Sequence, residues 1–109
     1  MGLLLALDVG NTNTVLGFFE GDALVATARL TTVRDRTSDE HALFLRAVIE
    51  GKGRKAGEVE DVIVSSVVPP QDFPIRVACR DAFGIDPLFV APGVKTGMRI
   101  LYDQPSEVG

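Results

Sequence analysis

The sequence has no tryptophan, one tyrosine and one cysteine in 109 residues. A single cysteine excludes an internal disulfide and is typical of a protein from a reducing compartment. Cys79 falls on the apolar face of a predicted helix. We therefore interpret it as a small buried hydrophobic residue rather than a reactive thiol.

The chain also has little positive charge and no long apolar run. Lysine and arginine total 11 against 15 acidic residues, a formal net charge of −4. Such a chain is a poor general ligand for phosphate backbones, so nucleic acid is not an expected partner. No apolar run approaches the ~20 residues of a membrane span, and the first residues lack the basic region and cleavage site of a signal peptide. We expect a cytoplasmic protein that binds no membrane.

Apolar periodicity predicts seven elements in the order β-β-β-α-β-α-β. The predicted strands cover residues 2–8, 14–20, 23–32, 61–68 and 87–91. The first predicted helix starts with a capping box at Thr37 and Glu40 and stops near Gly51 or Gly53. The second has Pro74 in its first turn and ends at Gly84.

Short connections make the first three strands an antiparallel meander, and right-handed crossovers add the last two strands. We therefore predict an α/β fold with a mixed five-stranded sheet and helices covering its faces. This is the ribonuclease H-like layout, which the actin-like ATPases and the acetate and sugar kinases use twice, as two domains. The layout by itself implies no activity.

The stretch "DVGNTNT" at residues 8–14 separates two apolar strands and is the candidate site. Asp8 lies at the carboxyl end of the first strand, where open α/β sheets bind ligands. Gly10 lets a phosphate approach the backbone, and the small residues after it can direct N–H groups at an anion. Asp8 would repel a bare phosphate and makes sense beside Mg²⁺ that retains waters. A plain hairpin turn is the structural alternative, because the same residue types are common in turns.

One enzyme that such a site could belong to is a ribonuclease H-type nuclease, in which carboxylates converge on two metal ions. Asp8 would be one such carboxylate. The fourth strand should supply another near its end, but Ser65 and Ser66 stand there, and the acidic net charge also disfavours a nucleic-acid substrate.

Four segments, in order along the chain, resemble the type III pantothenate kinases of bacteria: "DVGNTNTVLG" at 8–17, "TTVRDRTSDE" at 31–40, "SSVVP" at 65–69 and "GVKTGMRILYDQPSEVG" at 93–109. The resemblance implies an actin-like fold with two domains per chain and a homodimer. It implies ATP-dependent phosphorylation of pantothenate, the first step of coenzyme A synthesis, with Mg²⁺ and a monovalent cation, K⁺ or ammonium. The family was earlier labelled as accessory transcriptional activators, so a non-catalytic nucleotide-binding or transcription accessory protein is the alternative.

The resemblance also implies roles for single residues. The loop that holds the ATP phosphates would comprise Asp8, Val9, Gly10, Asn11, Thr12, Asn13, Thr14 and Val15. Asp8 would place Mg²⁺, and Tyr102 and Gly109 would contact pantothenate. The catalytic base is expected beyond Gly109, as are the K⁺ site and the second domain. We therefore expect residues 1–109 to be an N-terminal actin-like domain with the start of the substrate-binding segment, about 93–109, and to be inactive alone.

Three further polar residues are interpreted as structural. His41, the only histidine, follows the capping-box glutamate and is expected to be a solvated surface residue. Arg34 and Arg36 are expected in a solvated loop, although an anionic ligand or a partner subunit remains an alternative for both.

Overall fold

The computed structural model describes residues 2–91 and shows a five-stranded sheet with two helices. The strands are β1 (Leu3–Val9), β2 (Asn13–Glu20), β3 (Ala23–Thr31), β4 (Val59–Ser66) and β5 (Leu88–Val90). The helices are α1 (Ser38–Gly51) and α2 (Asp72–Phe83), and short 3₁₀ turns cover Ala56–Glu58 and Pro69–Gln71. The predicted order of elements is confirmed. Residues 93–109, the predicted start of a substrate-binding segment, lie outside the described part.

The spatial order of the strands is β3-β2-β1-β4-β5. β1, β2 and β3 pair antiparallel as the predicted meander, whereas β4 pairs parallel with both β1 and β5. β1 is therefore the central strand, which explains why it is apolar along most of its length. Its carboxyl end lies at the same edge of the sheet as those of β4 and β5.

Both described helices cover the same face of the sheet, so the expectation that helices cover both faces is wrong for residues 2–91. Leu5, Leu7 and Val9 of β1 share one core cluster with Ile49 of α1 and Cys79 of α2. The reason is topological. The crossover from β3 through α1 to β4 and the crossover from β4 through α2 to β5 progress in the same direction across the sheet. Right-handed connections that progress in one direction lie on the same side of the sheet.

The opposite face has a smaller apolar cluster and none of the described helices. Ala6, Val15 and Phe19 form it, with the partly buried Leu4, Leu24 and Ile63 packed against them. We call it the open face. Because side chains alternate along a strand, Asp8 lies on the same face as Ala6, away from the helices.

The helix ends follow the predicted signals. Glu40 donates its backbone N–H to the Thr37 hydroxyl at 3.2 Å, and its carboxylate accepts from the Thr37 N–H at 2.9 Å, which confirms the capping box. Gly84 ends α2 in the left-handed conformation, with φ of 70°. No helix within residues 2–91 is long and apolar enough to cross a membrane.

β4 starts and ends two residues earlier than predicted. Its pairing with β1 begins at Val59, opposite Leu3, and ends at Ser66, opposite Val9. Beyond the strand, the Val67 N–H still donates to the Val9 carbonyl at 3.0 Å, and the Val68 N–H donates to the Ser66 hydroxyl at 3.1 Å. The ends of β4 therefore coincide with the ends of its partner β1 and differ from the ends of its own apolar run.

Candidate functional site

Asp8 is the only ionisable residue of β1 and lies one residue before its end. In the sheet it is flanked by Val15 of β2 and Ser65 of β4. Val15 and Ser65 are both buried, and they share the open face with Asp8 by register. The carboxylate therefore sits between an apolar and a hydroxyl side chain at the carboxyl edge of the sheet.

The Asp8 carboxylate is half-buried and has no hydrogen-bond donor or cation against it within residues 2–91. Burial raises the pKa of Asp8 above its ordinary value, because desolvation disfavours the charged form. An ionised carboxylate in this position costs free energy that a bound cation would offset. The position thus fits a cation ligand better than a structural ion pair.

The donor set fits Mg²⁺ in particular. Among the described residues, no group of three or more His, Cys, Asp or Glu side chains could surround a metal. Mg²⁺ commonly uses one or two carboxylates and completes its shell with water and phosphate oxygens. A single carboxylate beside a turn that offers N–H donors suits that mode of binding.

The turn between β1 and β2 has three residues, Gly10, Asn11 and Thr12. The Gly10 N–H donates to the Asn13 carbonyl at 2.9 Å and closes the hairpin. The backbone N–H groups of Asn11 and Thr12 have no partner within residues 2–91, and both residues are exposed. Two free N–H groups on adjacent exposed residues are the type of donor that anions bind.

The rest of the predicted phosphate loop belongs to strands. Asn13, Thr14 and Val15 open β2, and Val9 ends β1 in the helix-side core. The backbone of Val15 pairs with Asp8 in the ladder. The stretch is therefore a tight hairpin, and its tip, residues 10–12, offers the free donors. The backbone of residues 8–15 is therefore a hairpin, as the structural alternative expected. A hairpin tip with N–H groups that lack partners is still compatible with anion binding.

The hairpin tip is joined to the segment that follows β3. The Thr32 N–H donates to the Thr12 carbonyl at 2.8 Å. The hydroxyls of Thr14 and Thr32 are hydrogen-bonded at 2.9 Å. These two bonds tie the hairpin to the segment that follows β3.

Ser65 is a neighbour of the site that the sequence analysis did not assign to it. It pairs with Asp8 across β1 and β4 and is buried. The sequence analysis considered Ser65 and Ser66 only as positions where a nuclease would need a carboxylate; the register of β1 with β4 shows that Ser65 is the one beside Asp8. A nuclease of the ribonuclease H type would need a carboxylate here, so this position counts against that alternative.

His41 is buried, and the expectation that it is solvated is wrong. It is 8% exposed and is hydrogen-bonded through Nε2 to the Gln71 side chain. Burial lowers the pKa of His41, and the nearby Arg36 acts in the same direction, against the hydrogen bond that His41 makes to the Gln71 side-chain oxygen. The capping box correctly placed His41 on the first turn of α1, but it could not show that Gln71, from the 3₁₀ turn before α2, meets the ring there.

The two arginines of the segment between β3 and α1 differ. Arg34 is exposed, as expected for a solvated loop. Arg36 is partly covered: its guanidinium lies 4.7 Å from the centre of the Phe44 ring and donates to the Thr31 carbonyl at 3.2 Å. Tyr102 and Gly109, the residues expected to contact pantothenate, lie outside the described residues.

Comparison with solved structures gives the class of the fold. The chain resembles the ROK hexokinase from Thermus thermophilus with a TM-score of 0.58, over 82% of this chain and 35% of that chain. Sequence identity is 21%, so the likeness concerns the fold alone. The predicted actin-like fold of the acetate and sugar kinase class is confirmed.

The family follows from the sequence comparisons. Residues 4–109 match the family model for type III pantothenate kinase, and the chain belongs to that family. It is 50% identical over 107 residues to the type III pantothenate kinase of Syntrophotalea carbinolica, and 42% identical to that of Halalkalibacterium halodurans. The protein of the same name from Myxococcus xanthus is 50% identical. Each match covers 98% of this chain and 42% of the relative, so the chain spans less than half the length of these proteins.

Proposed function

We propose that the complete protein transfers the γ-phosphoryl group of ATP to pantothenate and forms 4′-phosphopantothenate, the first step of coenzyme A biosynthesis. Membership of the family supports this activity, since its relatives are named for it. The observation in the structure that carries the proposal is the half-buried Asp8 beside a hairpin tip with two free N–H groups.

The hairpin tip would bind the phosphate groups of the nucleotide. The N–H groups of Asn11 and Thr12 would donate to an anion, and the absence of a side chain on Gly10 would let the anion approach the backbone. Asp8 would hold Mg²⁺ on the neighbouring side, through a direct bond or a retained water. When bound, the metal neutralises charge that develops on the phosphate oxygens during transfer.

Other parts of the reaction are assigned to regions beyond the described residues. Tyr102 and Gly109 are the proposed pantothenate contacts. A base must take the proton of the attacking hydroxyl, and we place it after Gly109, together with a K⁺ or ammonium site and a second domain. We further propose a cytoplasmic homodimer.

A non-catalytic nucleotide-binding or transcription accessory protein is the second candidate. It requires the same hairpin tip but no base. The two candidates differ in turnover and not in nucleotide binding, so an activity assay separates them.

The test is pantothenate-dependent release of ADP by the complete protein, with Mg²⁺ and K⁺ present. The intact mass of the purified protein is determined alongside, so that activity is assigned to a chain of known length. Turnover that requires pantothenate supports the kinase. MgATP binding without turnover by a chain as long as the relatives would favour the accessory protein, and failure to bind MgATP would refute both.

A further inference from the structure

Gln71 and His41 form a buried polar pair at the carboxyl edge of the sheet. Gln71 ends the 3₁₀ turn that follows β4 and is 2% exposed. Its side-chain oxygen bonds Nε2 of His41 on α1. Its side-chain nitrogen donates to the carbonyls of Arg34 and Arg36, at 2.8 and 3.2 Å. One amide therefore joins α1, the start of α2 and the segment before α1.

The hydrogen bonds define the protonation of the pair. Because the Gln71 nitrogen faces two carbonyl acceptors, its oxygen must face His41, and the bonded Nε2 must carry the proton. Burial lowers the pKa of His41, so the neutral form with Nε2–H is the one that fits. Both polar groups of the Gln71 side chain are thereby satisfied inside the protein.

The segment held by Gln71 leads directly to the hairpin tip. Residues 33–36 form a turn closed by the Arg36 N–H and the Val33 carbonyl at 3.2 Å. Thr32, immediately before this turn, donates its N–H to the Thr12 carbonyl and its hydroxyl meets that of Thr14. An unbroken series of hydrogen bonds and chain links thus runs from Gln71 through the 33–36 turn to Thr12.

We propose that His41 and Gln71 are positioning residues: they hold the 33–36 turn and, through Thr32, keep the 10–12 hairpin tip in the shape that binds the nucleotide phosphates. A pair that only filled space could be apolar and would avoid the cost of burying polar groups. Here, instead, the Gln71 side chain donates hydrogen bonds to two carbonyls of the 33–36 turn. The inference rests on the proposed function, because it assigns the tip to nucleotide binding.

Three variants of the complete protein separate positioning from packing. Gln71→Met keeps the side-chain length and removes the bonds to His41 and to both carbonyls. His41→Phe combined with Gln71→Met replaces both partners by apolar groups, a change that can be nearly neutral for stability. Ile49→Val is the matched control, because it trims a buried residue near the far end of α1 and removes none of the hydrogen bonds that run from Gln71 to Thr12.

Each variant is measured in three ways: the midpoint of urea unfolding, the dissociation constant of MgATP with KM and kcat, and the amide hydrogen exchange of Thr32. For Gln71→Met we expect a lower midpoint, faster exchange at Thr32 and about tenfold weaker MgATP binding, since only a fraction of the molecules then holds the competent tip. KM for ATP should rise more than kcat falls. The double variant should regain the midpoint but keep the weak binding and the fast exchange.

Wild-type MgATP affinity in the double variant would overturn the proposal, because the pair would then act on stability alone. An equal loss of affinity in Ile49→Val would overturn it as well. Amide exchange at Thr32 is measured without nucleotide, so it tests the positioning role of the pair separately from the proposed function. Unchanged exchange in Gln71→Met refutes the positioning role, whereas a wild-type protein that does not bind MgATP refutes the proposed function.

Discussion

Asp8 and Ser65 are register partners on the parallel strands β1 and β4, at the edge of the sheet where both strands end. The polar neighbour of Asp8 on β4 is therefore the Ser65 hydroxyl. It is neither a cation nor a second carboxylate. Burial raises the pKa of Asp8, so the folded protein without ligand holds the ionised side chain at a cost. The first prediction follows from this cost.

Asp8→Asn should abolish most of the activity and leave the fold at least as stable. Loss of the carboxylate removes the proposed Mg²⁺ ligand, and we expect kcat/KM to fall by about 10²-fold or more. The folded-state pKa of Asp8 is raised, so its charge opposes folding at neutral pH, and the neutral amide should not lower the melting temperature. The measurements are the coupled kinase assay and thermal unfolding without nucleotide, both on the complete protein. An active variant, or one that melts well below the wild type, would contradict the assignment.

Gly10→Ala should distort the hairpin tip. A Cβ at Gly10 would lie 3.0 Å from the Asn13 carbonyl oxygen, which also accepts the 2.9 Å hydrogen bond that closes the turn. We expect a stability loss of about 1 to 3 kcal/mol, typical of overpacking, together with weaker MgATP binding. Urea unfolding and nucleotide titration measure the two effects.

Gly51→Ala is the control for that substitution. Nothing lies within 4 Å of a Cβ at Gly51, the last residue of α1. Alanine should raise stability there by about 0.5 to 1 kcal/mol without changing MgATP affinity. Weaker binding in the control would mean that nucleotide affinity does not report the geometry of the tip.

Stability should fall as the pH is lowered below about 6.5, because His41 is buried. Burial lowers the folded-state pKa of His41 from its ordinary value of 6.5. Above that value the histidine is neutral in both states and the stability is fully present. As the pH falls toward the folded-state pKa, the unfolded chain binds the proton first, so the free energy of unfolding drops by at most about 1.4 kcal/mol per pH unit.

The measurement is urea unfolding from about pH 7 to pH 5, above the range in which most carboxylates titrate. His41→Phe provides the comparison, since it cannot bind the proton. The two unfolding curves should have different pH slopes in this interval. Identical slopes would mean that His41 is accessible to water in the folded protein.

Cys79 should not react with thiol reagents while the protein is folded. It is 0% exposed, and burial raises the pKa of its thiol to about 12. A reagent such as dithiobis-nitrobenzoate at pH 8 should leave Cys79, the single cysteine of residues 1–109, unlabelled in the native protein and should label it in denaturant. Rapid labelling of the native protein would contradict the packing of α2 against the sheet.

The elements that local chemistry determines could be predicted from the sequence. Thr37 and Glu40 define the start of α1 through bonds within one helical turn, and Gly84 supplies the backbone conformation that ends α2. The apolar residues of β1 predicted a buried strand, and Asp8 marked its end. These features depend on neighbours in sequence.

Features that depend on register or on packing between distant elements could not be predicted. The position of Ser65 beside Asp8 follows from the parallel alignment of β1 with β4. The burial of His41 depends on Gln71, 30 residues away along the chain. The position of both described helices on one face of the sheet follows from the direction of two crossovers, which apolar periodicity does not encode.

The central position of β1 has a consequence for the order of assembly during synthesis. One edge of β1 pairs with β2, which follows immediately, but the other edge pairs with β4 and must wait until Val59–Ser66 has been made. Until then the nascent chain presents an apolar strand with unpaired backbone groups, which other chains can use as a template. The most buried strand of the sheet is thus the one that stays open to wrong pairing until β4 has been synthesised.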